Sequence, residues 1–363
     1  MNLPPMNWGL WWAQIRSVIR LEMRKTFFAK RGIWVYLLAL APAALFCADS
    51  IAVMHDRDRR VEEASTHQVS REAIEGIKMG MSRSEVEAKL GEPYSRRIFN
   101  YGPRRDRHEA AIYRYTDGEN DYVFSFQDDE LHGRGTNELR SIPKDSLIFA
   151  TVFQFFYLRL AIFFGCVGIF TNLFRGELLD KSLHFYLLAP IRREVLLVGK
   201  YLAGLIATVV IFTTSTALQL LAMGWHLTGP AMTEYLRGPG WGHIGAYLGV
   251  TALACLGYGS VFLAAGLLFR NPIIPAAAVL LWESANPFLP AVLKKVSVIF
   301  YLQSMCPVVA RPNDMPALAA LLLSSAEATP AIWAACGLVA VTLMVLALAA
   351  RQARKLEINY SSD

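Results

Sequence analysis

The chain has no nucleotide-binding glycine loop. Gly199-Lys200 is followed by Tyr201, and no glycine stands at the upstream spacing that a phosphate-cradling loop needs. Neither a His-Glu-x-x-His helix nor a Gly-x-Ser-x-Gly turn occurs, so the sequence offers no catalytic centre of its own. Cysteine is scarce. The five residues Cys47, Cys166, Cys255, Cys306 and Cys336 lie in or near apolar runs, and none falls between 55 and 145. That excludes a disulfide framework and a zinc spacing, and it reads as a set of buried structural thiols. Charge is thin too. Charged residues make up 18% of a chain that is 54% hydrophobic with mean hydropathy +0.32, too apolar for an ordinary soluble protein.

Long apolar runs are abundant, at 32–54, 146–174, 195–225, 243–269, 272–293 and 330–350. About 18 or more apolar residues cross a hydrocarbon core of roughly 30 Å. A backbone in lipid must satisfy its own hydrogen bonds, so the runs predict an α-helical integral membrane protein with six transmembrane helices. The fifth is interrupted by Pro275, Glu283, Asn286, Pro287 and Pro290. Ala41-Pro42-Ala43 mimics a signal-peptide cleavage site and Cys47 a lipoprotein acceptor. Phe46 is too bulky for that acceptor motif and the leader too long, so 32–54 is expected to remain as the first span.

Charge is unevenly placed. Residues 55–145 hold 16 basic against 19 acidic groups, a net of −3; the remainder holds 20 against 11, a net of +9. Arg16, Arg20, Arg24, Lys25, Lys30 and Arg31 flank the first span. Arg175, Lys181, Arg192, Arg193 and Lys200 fill the loop between the second and third. Arg270 follows the fourth span, and Arg351, Arg354 and Lys355 follow the last. Basic excess beside spans marks the cytoplasmic side. Both termini are therefore expected in the cytoplasm of a multi-pass chain, with 55–145 outside. Because the positive charges track helix ends, a nucleic-acid partner is not expected.

Residues 1–31 contain an amphipathic helix. Trp8, Trp11, Trp12, Ile15, Val18 and Ile19 follow helical spacing on one face, and Arg16, Arg20 and Arg24 recur every four residues on another. Tryptophan opposite arginine describes a helix lying among lipid headgroups. Residues 55–145 read as a small α+β domain. Ser82 and Glu85 have capping-box spacing and Gly91 supplies a helix stop. Strand-like runs follow at 94–101, 110–116 and 121–127, the last two joined by the turn Asp117–Asn120. Asp128-Asp129 opens a further turn towards Leu131. The aromatic residues Tyr113, Tyr115, Tyr122, Phe124 and Phe126 read as sheet core. Residues 287–328 are semi-polar and are expected to form an outer re-entrant segment.

Two ionisable residues fall inside expected spans: Arg159 in the second and Glu283 in the fifth. A charge at bilayer depth costs at least about 2.5–3.5 kcal/mol unless it finds a partner or water. They are expected near one another at mid-depth, with Asn286 beside them, as an ion pair fixing helix packing or as the lining of a polar conduit.

The most informative stretch is TNLFRGELLDKSLHFYLLAPIRREVLLVGKYLAGL at 171–205. A charged segment lies between two apolar runs and ends in Pro190-Ile191-Arg192-Arg193. It resembles the first cytosolic loop of ABC-2 type exporter permeases. The string GMSRSEVEAKLGEP, followed by aromatic strands, resembles the SmpA/OmlA (BamE-like) envelope lipoproteins, a likeness covering roughly 70–133. The first resemblance implies an elbow helix (1–31), a first span (32–54), helices two to six (146–353) and a cytosolic tail (354–363). It also implies a coupling loop at 174–195 that seats on an ATPase through Glu177, Asp180, Lys181, Phe185, Tyr186, Pro190, Arg192 and Arg193. Further implications are a bacterial inner-membrane location, a permease homodimer or heterodimer, a separate ABC ATPase and contact with membrane lipid. ATP and Mg would then sit on the partner, and this chain would bind no cofactor or metal. The inserted domain, unusual in size, points to an envelope protein as a further partner. A rival class is a non-transporting membrane anchor or envelope-assembly factor that displays the outer domain as a binding module.

Overall fold

Long apolar runs close their backbone hydrogen bonds internally, and helices dominate accordingly. The computed structural model describes residues 8–28, 32–64, 69–101, 108–118, 120–138, 142–179, 192–225, 230–269, 271–308 and 330–354. It divides into two units. One is a helical bundle (1–46, 146–222 and 233–363); the other is built on 47–145 with 223–232.

In the bundle, α1 spans Trp8–Phe28 and α2 Ile33–Ala64, running unbroken through Pro42. A second long helix comprises α5 (Ile142–Val152), a π-helical segment (Phe153–Ile162) and α6 (Phe163–Leu179). Next come α7 (Arg193–Gly224), α8 (Pro230–Tyr235) and, after a kinked turn at Gly238-Pro239, α9 (Trp241–Leu268). The last described helix, α13, covers Ala331–Ala353. Five stretches are long and apolar enough to cross a bilayer: Ile33–Asp56, Ile142–Phe174, Arg193–Gly224, Met232–Leu268 and Ala331–Ala353.

The run 272–293, expected as the fifth of six full spans, departs from that expectation. Helix α10, Ile273–Ala285, has 13 residues. At 1.5 Å per residue it reaches about 20 Å, short of a roughly 30 Å core. Asn286-Pro287-Phe288 then form a single 3₁₀ turn, because proline cannot continue the hydrogen-bond ladder. Two short helices follow, α11 (Ala291–Lys294) and α12 (Val298–Ser304). The second is buried through Val298, Ile299, Phe300, Leu302 and Gln303. Residues 309–329, which include much of the expected re-entrant segment, lie outside the described residues.

Contacts between helix ends set the directions. Arg193 at the start of α7 donates to the carbonyl of Arg354, just past α13, at 2.8 Å. Arg354 in turn pairs with Glu194 at 2.6 Å. Near the end of α9, a Cβ on Gly266 would stand 2.9 Å from Cα of Thr171 in α6. Only glycine permits that approach, the small-residue packing common between membrane helices. The ends of α6, α9 and α13 and the start of α7 thus gather at one end of the bundle. Since α9 and α13 both finish there, the chain returns to the opposite end between Phe269 and Pro330. No single described helix in that interval is long enough to make the journey.

The middle of the bundle is aromatic. Tyr247 meets Phe149 and Phe153 edge-on with ring centroids 4.8 Å apart, and Phe163 meets Phe262 at 4.9 Å. Tyr157 on the π segment donates to the carbonyl of Phe212 at 2.7 Å. Of the five cysteines, Cys166, Cys255 and Cys306 are buried as expected, but Cys47 and Cys336 are exposed. Apolar neighbours in sequence do not guarantee burial where a helix face has no protein against it.

The second unit is a four-stranded antiparallel meander, β1 (Ser95–Tyr101), β2 (His108–Thr116), β3 (Asn120–Gln127) and β4 (Glu130–Glu138), paired in chain order. Two helices precede it: α3 (Arg71–Glu75) and α4 (Arg83–Leu90). The capping box at Ser82 and Glu85 is formed, and Gly91 ends α4 with φ +80°. Alternate residues of β2 and β3 send Tyr113, Tyr115, Tyr122, Phe124 and Phe126 into one core with Ile74, Val86, Leu90 and Leu131. The five aromatic residues are sheet core, as their alternation indicated. Arg83 ties α4 to the sheet through Glu109 at 2.5 Å and Asp129 at 2.8 Å. Asp128 and Asp129, both at positive φ, make the tight β3–β4 turn. The Asp128 carboxylate is held below its usual range, first by the 2.6 Å bond with His108 and next by the Glu109 backbone amide.

Candidate functional site

Two places in the bundle gather the residues singled out from the sequence. The first surrounds the segment leading into and out of 180–191. Asp180, Lys181, Phe185, Tyr186 and Pro190 lie outside the described residues. Glu177 falls in the last turns of α6, and Arg192 and Arg193 stand at the start of α7. Both arginines have partners within the chain. Arg192 lies over the Trp11 ring at 5.1 Å, and Arg193 holds the Arg354 carbonyl.

Beneath them is a contact that the sequence reading did not anticipate. Lys200, counted there among the charges of the loop between the second and third spans, has no exposed surface. Its ammonium donates to Glu22 Oε1 at 2.7 Å and to the Leu173 carbonyl at 2.8 Å, and it sits 5.4 Å from the Phe174 ring. Glu22 is 3% exposed. One residue earlier in α7, a Cβ on Gly199 would stand 2.9 Å from Val18, so glycine is what lets α1 lie against α7. A single buried cation therefore joins α1, the end of α6 and the start of α7. A signal for this existed. Glu22 is the one acid between Trp8 and Phe28, and Trp11, Ile15, Val18 and Glu22 share one heptad-like stripe. An acid on an apolar stripe calls for a buried cation.

The stripe also revises the picture of α1. Its packed side carries Val18 and Glu22, whereas Trp8 and Trp12 are each 59% exposed and Arg16 and Arg20 are exposed. The tryptophans and arginines expected at an interface are thus directed away from the bundle, and Trp11 alone of the three tryptophans holds Arg192.

The second place is a cavity of about 120 Å³ lined by Phe155, Arg159, Leu160, Tyr258, Leu280, Glu283 and Ser284. The structure brings Arg159 and Glu283 to one cavity, as their depths implied. Arg159 is carried by the π-helical segment, whose extra residue per turn re-aims side chains and recurs at functional sites. Glu283 has an additional role that the sequence did not disclose. Its two oxygens accept from Ser297 Oγ at 2.7 Å, Val298 N at 3.0 Å and Ile299 N at 2.9 Å. The carboxylate thereby caps α12, satisfying amides that a helix start leaves open. Asn286 is buried and reaches the Lys294 carbonyl at 3.4 Å, closing the bend after α10. It supports that bend and does not line the cavity. Tyr258 is fully buried, and its hydroxyl has no hydrogen-bond partner among the described residues. The cavity thus brings together a guanidinium, a carboxylate that also caps α12, and a phenol hydroxyl.

Among the described residues, no group of three or more His, Cys, Asp or Glu side chains is placed to hold a metal. Comparison with known proteins finds no matching family model, no similar curated protein and no similar solved structure.

Proposed function

We propose that this chain is the permease subunit of an ATP-driven ABC-2 type exporter of the bacterial cytoplasmic membrane. A separate ATPase subunit binds ATP and Mg, and two permease copies, alike or different, make the conducting unit. The observation that carries this reading is the Lys200 junction. A hairpin that must transmit force needs both of its roots fixed to each other and to the bundle. Lys200 binds Leu173 at one root from within the other, and Glu22 draws α1 into the same knot. Arg193 and Glu194 extend the bracing to the end of α13. A push on 180–191 by a docked ATPase is then passed to four helices together. In this reading that end of the bundle faces the cytoplasm together with both termini. Trp8, Trp12, Arg16 and Arg20 lie among headgroups, and Glu177, Phe185 and Tyr186 grip the ATPase.

The test is purification of the tagged chain from its native membrane. An ATPase should accompany it, and Glu177→Ala or Tyr186→Ala should release that ATPase while the chain stays folded. A chain that never brings down an ATPase would sink the reading.

One observation favours a second reading, a non-transporting anchor that displays its folded α+β unit. That unit carries a polar pocket of about 190 Å³ lined by Arg71, Ile74, Glu75, Asn120, Tyr122, Arg134 and Thr136. Recovery of an envelope protein without any ATPase, lost on Arg71→Ala or Arg134→Ala, would favour the anchor.

A further inference from the structure

We propose that the free edge of β1 takes up an extended segment of another polypeptide as a fifth strand, one in which apolar and acidic residues alternate. The inference concerns the α+β unit alone and stands whether the chain exports or anchors.

The two edges of the sheet differ. Among the described residues β1 pairs with β2 alone, in an unbroken register from Ser95 opposite Arg114 to Tyr101 opposite His108. A terminal strand leaves a row of amides and carbonyls unpaired on its outer side, a template for one more strand. Strand β4, at the other end, is blunted. Its register against β3 slips at Ser125 and Phe126, Gly133 and Gly135 lie within it, and Glu130 is bridged to Ser82 at the head of α4. Strand β1 has no slip, no glycine and no proline over its seven residues. Sheets protect their edges with such devices, so an edge without them suits strand addition.

The side chains of β1 specify what the added strand carries. Residues opposite one another in a ladder share a face of the sheet. Ile98 stands opposite Ala111 of the core yet is 52% exposed, so it carries the apolar layer out to the bare edge. Arg97 and Phe99 stand opposite Ile112 and Ala110 on the other face. Phe99 is 48% exposed, and Arg97 is exposed beside it. Arg96 is already engaged, bonded to Glu87 and lying 5.0 Å from the centre of the Tyr113 ring. A strand laid along β1 thus meets an apolar neighbour on one face and a guanidinium beside an aromatic ring on the other. Side chains alternate between faces along a strand, so apolar residues with acids between them answer both.

Charge in the sequence points the same way. Residues 95–108 hold five arginines and one acid, inside a segment, 55–145, whose net charge is −3. That balance argues against a second copy of β1 as the occupant, since its own Arg97 would come to the face that already holds one. Anionic lipid would answer the arginine but leave the backbone row of the edge unpaired.

The test uses the purified full-length chain in non-ionic detergent and a short labelled peptide alternating valine with glutamate. One comparison peptide alternates valine with lysine; another is the first with every amide N-methylated. Binding is read by fluorescence anisotropy and by hydrogen exchange. The valine–glutamate peptide should bind and should protect amides in 95–101, not those in 130–138. The lysine peptide should bind about tenfold more weakly or worse, and the N-methylated one should not bind. Arg97→Glu should weaken the glutamate peptide about tenfold. Lys78→Glu, an equal change of charge on the turn that Gly80 ties to β4, should leave it unaltered. Absence of binding by the glutamate peptide would overturn the proposal, as would equal affinity for the lysine peptide or retained binding after N-methylation. Protection of 130–138 in place of 95–101 would do the same. So would protection of 95–101 that grows with chain concentration alone, which would seat a second copy there. Protection by phosphatidylglycerol vesicles and not by peptide would assign the edge to lipid and overturn it too. The peptide series runs on the unaltered chain, so it decides even where a variant fails to fold. Recovery of an ATPase tests export separately, and neither result bears on the other.

Discussion

Lys200 shows how much a single side chain can settle. Its charge has left water entirely, and its interaction with Glu22 offsets that loss only while both partners remain. Removing one partner of a buried pair typically costs about 3–5 kcal/mol, while replacing both by apolar groups is often neutral. Lys200→Met or Glu22→Gln should therefore lower the unfolding temperature of the detergent-solubilised chain sharply. The double change Glu22→Leu with Lys200→Met should recover most of the loss. Asp128 offers a second check at this scale. Its folded pKa lies below the ordinary aspartate value of about 3.8 because His108 and the Glu109 amide favour the charged form. The stability it contributes is present above about 3.8 and disappears as pH falls through the lower folded value. Asp128→Asn should raise hydrogen exchange across 69–138 at pH 6, after correction for intrinsic rates, and the difference from wild type should shrink towards pH 3. At this scale the sequence disclosed Arg159 and Glu283 because charge inside an apolar run is conspicuous. It hid the α12 cap and the Tyr258 hydroxyl, since both depend on which helices meet. Lys200 was misread because a lysine at the head of an apolar run resembles any solvated flanking charge.

Elements were more legible where their signals are local. The Ser82–Glu85 capping box, the Gly91 stop and the Asp117–Asn120 turn all follow from short-range chemistry. Strand β4 did not stand out, because Gly133 and Gly135 interrupt its pattern and Leu131 is its one buried apolar side chain. Pairing with β3 holds it as an edge, which periodicity along one strand does not reveal. Helix α10 was overestimated because composition counts apolar residues, whereas Pro287 and Asn286 decide where the ladder stops. Packing at Gly266 gives an element-scale prediction. A methyl there would meet the backbone of Thr171 at 2.9 and 3.0 Å, and backbone cannot yield as a side-chain tip does. Gly266→Ala should cost about 1–3 kcal/mol through overpacking of α6 on α9, seen as a lower unfolding temperature.

Across the whole molecule, the positions of the helix ends make a prediction independent of function. Gln352 lies by the junction where α6, α7, α9 and α13 meet, and Pro330 begins α13 at the far end. With exposed Cys47 and Cys336 replaced, Gln352→Cys and Pro330→Cys should react with a membrane-impermeant maleimide from opposite faces of sealed vesicles. Labelling of both from one face would refute the traced path. The composition foretold a helical membrane protein with one folded insert. Six full-length spans were expected and five such helices stand among the described residues, because α10 ends after 13 residues at Asn286-Pro287.

The shortness of α10 bears on how the chain reaches its final place during synthesis. A 13-residue segment is too short to be threaded into a bilayer unaided, and its far end leans on Ser297 and the first amides of α12. Those supports emerge later from the ribosome, and α13 later still. The stretch Ile273–Ser304 is thus placed by folding against helices already lodged in lipid. A nascent chain halted near residue 320 should leave it at the water boundary, open to proteases that the finished protein resists.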